Sequence, residues 1–261
     1  MSGSVNNFDE NQHLFNKFTK IDNFEPQLID FLELFFSKTL TDITGWNVLD
    51  LACGTGNFGR RLLDKGVNSV IGYDLSQKMI TQAAIESNHD SRLQYIVADL
   101  ETLELPKESI NLVHCQFGFH YISNLNKMML HISNSLVPNG ILIFVVPHPI
   151  NMCNPQSSDT FPEINGESIY PVTRYFEEGP RHYKWLGCEV TKKHHTISSY
   201  VNGCIKNNLE IVEFIEWSDN DPKLRFFPFA LIIIAKKKAC EPNVLHQPVN
   251  GINFIEKSLF C

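Results

Sequence analysis

The feature that most constrains the fold of this chain is an apolar strand that runs directly into a glycine loop. Residues 47–51 form the strand, Ala52-Cys53-Gly54-Thr55-Gly56 form the loop, and residues 57–65 follow with a helical pattern that Gly66 ends. Glycine allows a positive φ and lets a ligand approach the backbone closely. The first turn of the helix adds unpaired amide donors. This junction predicts a ligand site at the carboxyl end of a parallel strand.

Strand and helix patterns alternate along the rest of the chain. We predict further strands at 69–73, 93–98, 110–115, 141–146, 209–217 and 228–236, and helices at 27–37 and 198–208. Ser76 and Asn124 are placed to cap two more helices. The second of these carries Leu136 on its apolar face and is expected to end at Pro138.

Most of these strands are apolar on both faces, which is typical of a parallel sheet covered on both sides by helices. We therefore predict a doubly wound, Rossmann-like α/β fold. The last two strands have no helical pattern between them, so we expect them to be antiparallel.

The chain divides into five segments by pattern. We assign residues 1–40 to an N-terminal helical cap, 41–148 to a ligand-binding core, 149–195 to an insert, 196–238 to the end of the sheet and 239–261 to a tail. Residues 149–190 have little periodicity, several prolines and many aromatic side chains. A long irregular connection inside a compact domain is usually functional, so we expect a lid over an acceptor.

Charge and composition exclude several classes of function. The net charge is -7 and the longest basic run is Lys236-Lys237-Lys238, so nucleic acid is not an expected partner. No apolar run is long enough to span a bilayer, and no membrane partner is expected. The seven cysteines are odd in number and not spaced as metal ligands. We therefore expect free thiols, no metal site and a cytoplasmic location.

The glycine loop is compatible with two kinds of nucleotide. Gly54, Gly56 and Gly59 match the dinucleotide fingerprint, and Asp74 follows at about the distance that this motif requires. A nicotinamide-dependent oxidoreductase is therefore one hypothesis. However, Asp50 ends the first strand, where its carboxylate would repel a pyrophosphate and suit a ligand with ammonium and sulfonium groups.

Together with Asp99 after the third strand and Leu136-Val137-Pro138-Asn139-Gly140 before the fifth, these motifs resemble class I S-adenosylmethionine-dependent methyltransferases of the ubiquinone-type and small-molecule group. The resemblance covers about residues 48–146. Residues 8–15 also resemble the aromatic N-terminal segment that often covers the cofactor. The family fold is a seven-stranded sheet with a reversed last strand. Ala52, in place of the usual first glycine of the loop, departs from the pattern.

The resemblance implies roles for a set of cofactor-binding residues. Asp50, Ala52, Gly54 and Gly56 would hold the methionine part, Asp74 both ribose hydroxyls, Leu75, Met79, Asp99 and Leu100 the adenine, and Gln116 and Phe117 the sulfonium end. An ionised carboxylate only accepts hydrogen bonds, and its two oxygens match a vicinal diol. Simple capping by the acids and core packing by Met79 are the ordinary alternatives.

Candidate catalytic residues follow the fourth and fifth strands. Methyl transfer from a sulfonium needs mainly proximity and orientation, and a base only where the acceptor loses a proton. His120, Tyr121 and His148 are placed for such a role, since an unperturbed histidine titrates near neutral pH. The alternative is that each histidine only orders a loop.

Acceptor contacts are expected from the N-terminal segment and the insert. The candidates are Phe15, Arg174, Tyr175, Arg181, Tyr183, Trp185 and His194. Cationic and aromatic side chains could hold an anionic or aromatic acceptor, or could form the small core of a lid. We predict methyl transfer to a small acceptor, free or carrier-bound. The alternatives are a non-methyl transfer or cyclisation with the same cofactor, the oxidoreductase, and a non-catalytic binding protein.

Overall fold

The computed structural model describes residues 7–20, 40, 42–153, 163–218 and 226–239. The helix predicted at 27–37, and the tail from residue 240 on, lie outside these residues. No helix in the described part of the chain is long and apolar enough to cross a membrane.

The strands form one large sheet and two small ribbons. Their bounds are β1 Asn47–Leu51, β2 Ser69–Asp74, β3 Leu93–Val97, β4 Ile110–Gln116, β5 Leu136–Pro147, β6 Glu163–Ile164, β7 Glu167–Ser168, β8 Gly179–Trp185, β9 Cys188–His194, β10 Leu209–Trp217 and β11 Ala230–Lys237. The large sheet has the order β10-β11-β5-β4-β1-β2-β3. The strands from β1 to β5 pair in parallel, and β11 is antiparallel to both of its neighbours. The predicted seven-stranded sheet with its antiparallel last strand is confirmed.

The described helices are α1 Asn7–Glu10, α2 Gln12–Lys20, α3 Asn57–Leu63, α4 Gln77–Glu86, α5 Leu125–Ser135 and α6 Ile197–Lys206, with 3₁₀ turns at Phe119–Tyr121 and Asn151–Cys153. The predicted caps are present, because the Ser76 and Asn124 side chains accept the amides of Met79 and Lys127. Each cap satisfies an amide that the first helical turn leaves without a partner.

The core lies on both faces of the sheet because successive side chains of a strand point to opposite sides. Leu49, Phe144 and Ile233 pack in one fully buried cluster, and their neighbours Val48, Ile143 and Ile234 pack in another. This alternation explains why the central strands are apolar throughout.

The fifth strand begins earlier than predicted. Leu136 has an extended backbone and is the first residue of β5, and Pro138 lies within that strand instead of ending a helix. The Leu136 side chain still packs in the core beside α5. Leu136 continues the apolar pattern of the helix although its own backbone is extended. This is why the helix was predicted to run to Pro138.

The insert contains regular structure that the sequence analysis missed. β8 and β9 form an antiparallel hairpin joined by Leu186 and Gly187, both with positive φ. Positive φ at both central residues is typical of a type I′ turn. The inner face of this hairpin packs on α2, where Leu14, Met152, Tyr183, Cys188 and Val190 form a separate buried cluster. The N-terminal helices and the insert therefore support each other.

Candidate functional site

Asp74 lies at the centre of the predicted site. Its two carboxylate oxygens accept the amides of Gly54 and Ser76, both at 2.9 Å. Burial raises the pKa of Asp74 to about 6, which the two amides oppose and the negative charges of Asp50 and Asp9 reinforce. Each carboxylate oxygen has a second lone pair, so this fixed group can still accept two hydroxyls.

The glycine loop offers open backbone beside Asp74. Gly54 and Gly56 have φ values of 53° and 75°, and, its two chain neighbours aside, no described residue has an atom within 4 Å of the place where a Cβ of Gly54 would be. On Gly56 a Cβ would overlap the ring of Tyr95, whose hydroxyl donates to the Gly56 carbonyl at 3.2 Å. Tyr95 therefore packs against the loop at Gly56, and only glycine fits at position 56.

Ala52 also has a positive φ of 57°, which is unfavourable for a residue with a Cβ. A Cβ on Gly118 would lie 2.7 Å from the Ala52 Cβ. The loop thus accommodates an alanine because the residue that faces it is a glycine.

Asp50 is 2% exposed and pairs across the sheet with a histidine that the sequence analysis missed. Nδ1 of His114 donates to Oδ1 of Asp50 at 2.8 Å, and the His114 ring stacks on Phe58 with centroids 3.6 Å apart. Oδ2 of Asp50 has no hydrogen-bond partner among the described residues. Its role toward a ligand stays a prediction. His114 is inconspicuous in the sequence because it lies within the apolar run of β4.

The adenine-side candidates lie at the ends of β2 and β3, which are neighbours. The Ala98 amide donates to the Asp74 carbonyl at 2.8 Å, and Asp99 Oδ1 accepts the Glu101 amide at 2.9 Å. Leu75 and Leu100 are half-buried, whereas Met79 is 1% exposed, as a core methionine would be. The structure thus brings Asp74 and Asp99 to one edge of the sheet.

The candidates at the sulfonium end lie at the same edge. Gln116 is the last residue of β4, and Phe117, His120 and Tyr121 follow it. Phe117 has a φ of 54° and donates its amide to the Val145 carbonyl. His120 is 2% exposed, and its Nδ1 has no partner among the described residues. Burial, with the nearby charges of Lys192 and His195, lowers the pKa of His120 well below its usual value. Burial and the charge of Asp74 raise the pKa of Tyr121.

His148 is fully buried and has both ring nitrogens engaged. Nδ1 accepts the Ile150 amide at 3.2 Å, so Nε2 carries the proton and donates to Glu216 at 2.9 Å. No lone pair is left to accept a proton from an acceptor. This geometry favours the loop-ordering alternative for His148 over the role of a general base.

The acceptor candidates of the insert contact mainly other residues of the insert and the start of α6. Arg174 is exposed and pairs with Glu177. Tyr175 accepts the Ile197 amide through its hydroxyl at 3.1 Å, and its carbonyl accepts from Nε2 of His194 at 2.7 Å. The first contact ties the segment before β8 to the start of α6, and the second ties the same segment to the end of β9. Arg181 is half-buried and donates to the Met152 carbonyl at 2.7 Å.

Two further residues near the site were not predicted. Lys192, on the inner face of the hairpin, has its Nζ 4.8 Å from the centroid of the Trp185 ring, and burial lowers its pKa to about 8. Asp9 accepts hydrogen bonds from the Ser76 hydroxyl and from the amides of Gln77 and Lys78. Asp9 thereby fixes α1 to the first turn of α4, directly after Asp74. Lys78 also lies 6.0 Å from the centroid of the Phe15 ring.

Comparison with known proteins agrees with this arrangement. A family described as "Methyltransferase domain" matches residues 48–140. An S-adenosylmethionine dependent methyltransferase from Mesorhizobium loti of known structure is 30% identical, with a TM-score of 0.69 over 75% of this chain and 92% of that one. An uncharacterised protein of Haemophilus influenzae is 30% identical over 76% of this chain and 84% of its own length. Malonyl-[acyl-carrier protein] O-methyltransferase 2 of Ilyobacter polytropus is 31% identical over 38% of each chain.

Proposed function

Because this chain belongs to the class I S-adenosylmethionine-dependent methyltransferases, we propose that it transfers the methyl group of that cofactor to a small acceptor bound beneath the β8–β9 hairpin. The observation that carries this proposal is the fixed carboxylate of Asp74 beside an open glycine loop, at an edge of the sheet that the hairpin adjoins.

The residues at this edge fit the cofactor. Asp74 has lone pairs left for the two ribose hydroxyls, and the space over Gly54 admits a ligand against the backbone. Oδ2 of Asp50 is a buried acceptor that lacks a partner among the described residues, and it suits the ammonium group. Asp99 would accept the exocyclic amine of adenine. Gln116 and Phe117 would lie toward the sulfonium.

The bound cofactor supplies an already activated methyl group. The chain therefore has to hold the acceptor in line and exclude water. The hairpin and α2 are suited to this task because they pack on each other through the buried side chains of Leu14, Tyr183 and Val190. A base is needed only where the acceptor loses a proton. His148 has both ring nitrogens engaged, so His120 is the better of the two candidate histidines.

A small acceptor, free or attached to a carrier, is supported by two observations. The hairpin contributes aromatic surface on its inner face, with Tyr183 buried and Trp185 half-buried. One of the relatives acts on a carrier-bound malonyl group by its name. We propose the same broad class of acceptor here.

Thermal unfolding with S-adenosylmethionine, S-adenosylhomocysteine and NADH in parallel tests the cofactor site. A ligand at about 100 times its Kd stabilises the folded state by about 2.7 kcal/mol. We expect the melting temperature to rise with the first two ligands and not with NADH. Asp74→Ala should reduce this rise, because both ribose hydrogen bonds are lost, at about 1.5–3 kcal/mol in total.

The reaction type is tested on the purified protein with candidate acceptors. Methyl transfer yields S-adenosylhomocysteine and a product heavier by one methyl group, both of which mass spectrometry detects. Formation of methylthioadenosine in place of S-adenosylhomocysteine would contradict methyl transfer and show that another part of the cofactor is moved.

A further inference from the structure

Lys192 is a partly buried cation whose charge no described residue neutralises. It lies on the inner face of β9 with Val190 and His194, and its cross-strand neighbour is another cation, Arg181. Its Nζ lies 4.8 Å from the ring centroid of Trp185 and 5.8 Å from that of Tyr183. No carboxylate of the described residues forms an ion pair with Lys192, and burial is the single cause of its lowered pKa. Removing an ammonium group from water without a counter-charge is unfavourable.

The 3₁₀ turn Phe119–Tyr121 faces this lysine from the edge of the sheet. β9 packs against that turn, and the charge of Lys192 acts on the His120 ring. His120 is 2% exposed, and its buried Nδ1 has no hydrogen-bond partner in the described part of the chain. A buried polar atom without a hydrogen-bond partner destabilises the folded state. β9 and the 3₁₀ turn pack together, so Lys192, which has no counter-charge among the described residues, lies on the strand next to the turn that carries the unpartnered Nδ1 of His120.

We propose that Lys192 and His120 together bind a carboxylate of the acceptor, so that the acceptor of this enzyme is a small organic acid. This inference rests on the proposed methyl transfer and specifies its substrate class. The carboxylate supplies the missing counter-charge of Lys192 and accepts from Nδ1 of a neutral His120. The rings of Trp185 and Tyr183 cover the apolar part of the acceptor.

A carboxylate matches the site better than a phosphate does. One ammonium group beside a neutral imidazole balances a single negative charge. A phosphate monoester carries about -1.5 to -2 at neutral pH, so part of its charge would remain uncompensated in a partly buried site. Arg181 is not placed to bind the anion directly, because both of its terminal nitrogens already donate to the carbonyls of Met152, Arg174 and Glu177.

The inference is tested by calorimetry on the full chain saturated with S-adenosylhomocysteine. Phenylacetate and monoethyl malonate serve as probes, each beside its uncharged amide, and inorganic phosphate as a third anion. We expect the carboxylates to bind and their amides not to bind. Lys192→Met keeps the aliphatic stem and should weaken carboxylate binding about tenfold or more, because a charge-assisted hydrogen bond is lost.

The matched control is Lys184→Met, on the exposed face of the same hairpin. This variant should bind the carboxylates as the wild type does. Both variants should bind S-adenosylhomocysteine unchanged, which shows that the fold and the cofactor site are intact. His120→Phe should reduce carboxylate binding while retaining cofactor binding.

Several outcomes would overturn the proposal. One is that the wild type binds acid and amide equally well, or binds S-adenosylhomocysteine but no carboxylate. Another is that Lys192→Met binds the carboxylates as tightly as the wild type does. A third is that inorganic phosphate binds more tightly than either carboxylate. Failure of the wild type to bind S-adenosylhomocysteine would instead refute the cofactor site, so the two failures are distinguishable.

Discussion

The titration of Asp74 should make cofactor binding depend on pH between 5 and 7. The pKa of this carboxyl is raised to about 6, chiefly by burial. The ribose hydroxyls need the ionised form, which accepts both hydrogen bonds. With a pKa of about 6, the ionised fraction is about one in eleven at pH 5 and about ten in eleven at pH 7. The Kd of S-adenosylhomocysteine should therefore fall about tenfold from pH 5 to pH 7.

The stability of the free protein should respond to Asp74 in the opposite direction. The folded carboxyl titrates at about 6 and the unfolded one near 3.8. Between these values the folded state binds more protons than the unfolded state, so this group's contribution to stability falls as the pH rises through that window. Affinity and stability thus change with opposite signs, which distinguishes Asp74 from a general acid unfolding of the protein.

Isothermal titration calorimetry at pH 5, 6 and 7 measures the affinity, with Asp74→Asn as the control. Asparagine does not titrate, so the pH dependence should be largely lost. Asp9→Asn should shift the midpoint to lower pH, because the nearby charge of Asp9 contributes to the raised pKa of Asp74. A wild-type Kd that is the same at pH 5 and pH 7, or an unchanged pH dependence in Asp74→Asn, would refute this reasoning.

Three further predictions concern the loop and its supports. Gly118→Ala should destabilise the fold by about 1–3 kcal/mol in urea unfolding, since its Cβ would lie 2.6 Å from Cys115 Sγ and 2.7 Å from Ala52 Cβ. Adding Ala52→Gly should recover part of this loss, and strict additivity would contradict the contact. Tyr95→Phe should cost about 0.5–1.5 kcal/mol per hydrogen bond lost to Gly56 and Ser87, and weaken cofactor binding. Leu14→Ala should remove about 2–5 kcal/mol from the cluster between α2 and the hairpin, seen as faster amide exchange in β8 and β9. Unchanged exchange there would show that α2 does not support the hairpin.

Local pattern in the sequence was sufficient to predict the sheet and the glycine loop at its edge. Apolar runs, the loop from Ala52 to Gly56 and the caps Ser76 and Asn124 report backbone conformation through neighbouring residues, and these predictions are confirmed. The acids at the ends of β1 and β2 come together because parallel strands end at one edge. The hairpin turn Leu186-Gly187 was missed, because the irregular composition of the insert gave no clear strand pattern around it.

Contacts between distant residues were decided only by the tertiary structure. Three contacts at the site join residues from different elements. They are the pairing of Asp50 with His114, the cap that Asp9 forms on α4 and the hydrogen bond of His148 to Glu216. Periodicity shows which face of a strand a side chain occupies, and it cannot show which group lies opposite after packing. For this reason the sequence alone predicted where the glycine loop and the acids would lie, whereas only the folded chain packed β9, which carries Lys192, against the 3₁₀ turn that carries His120.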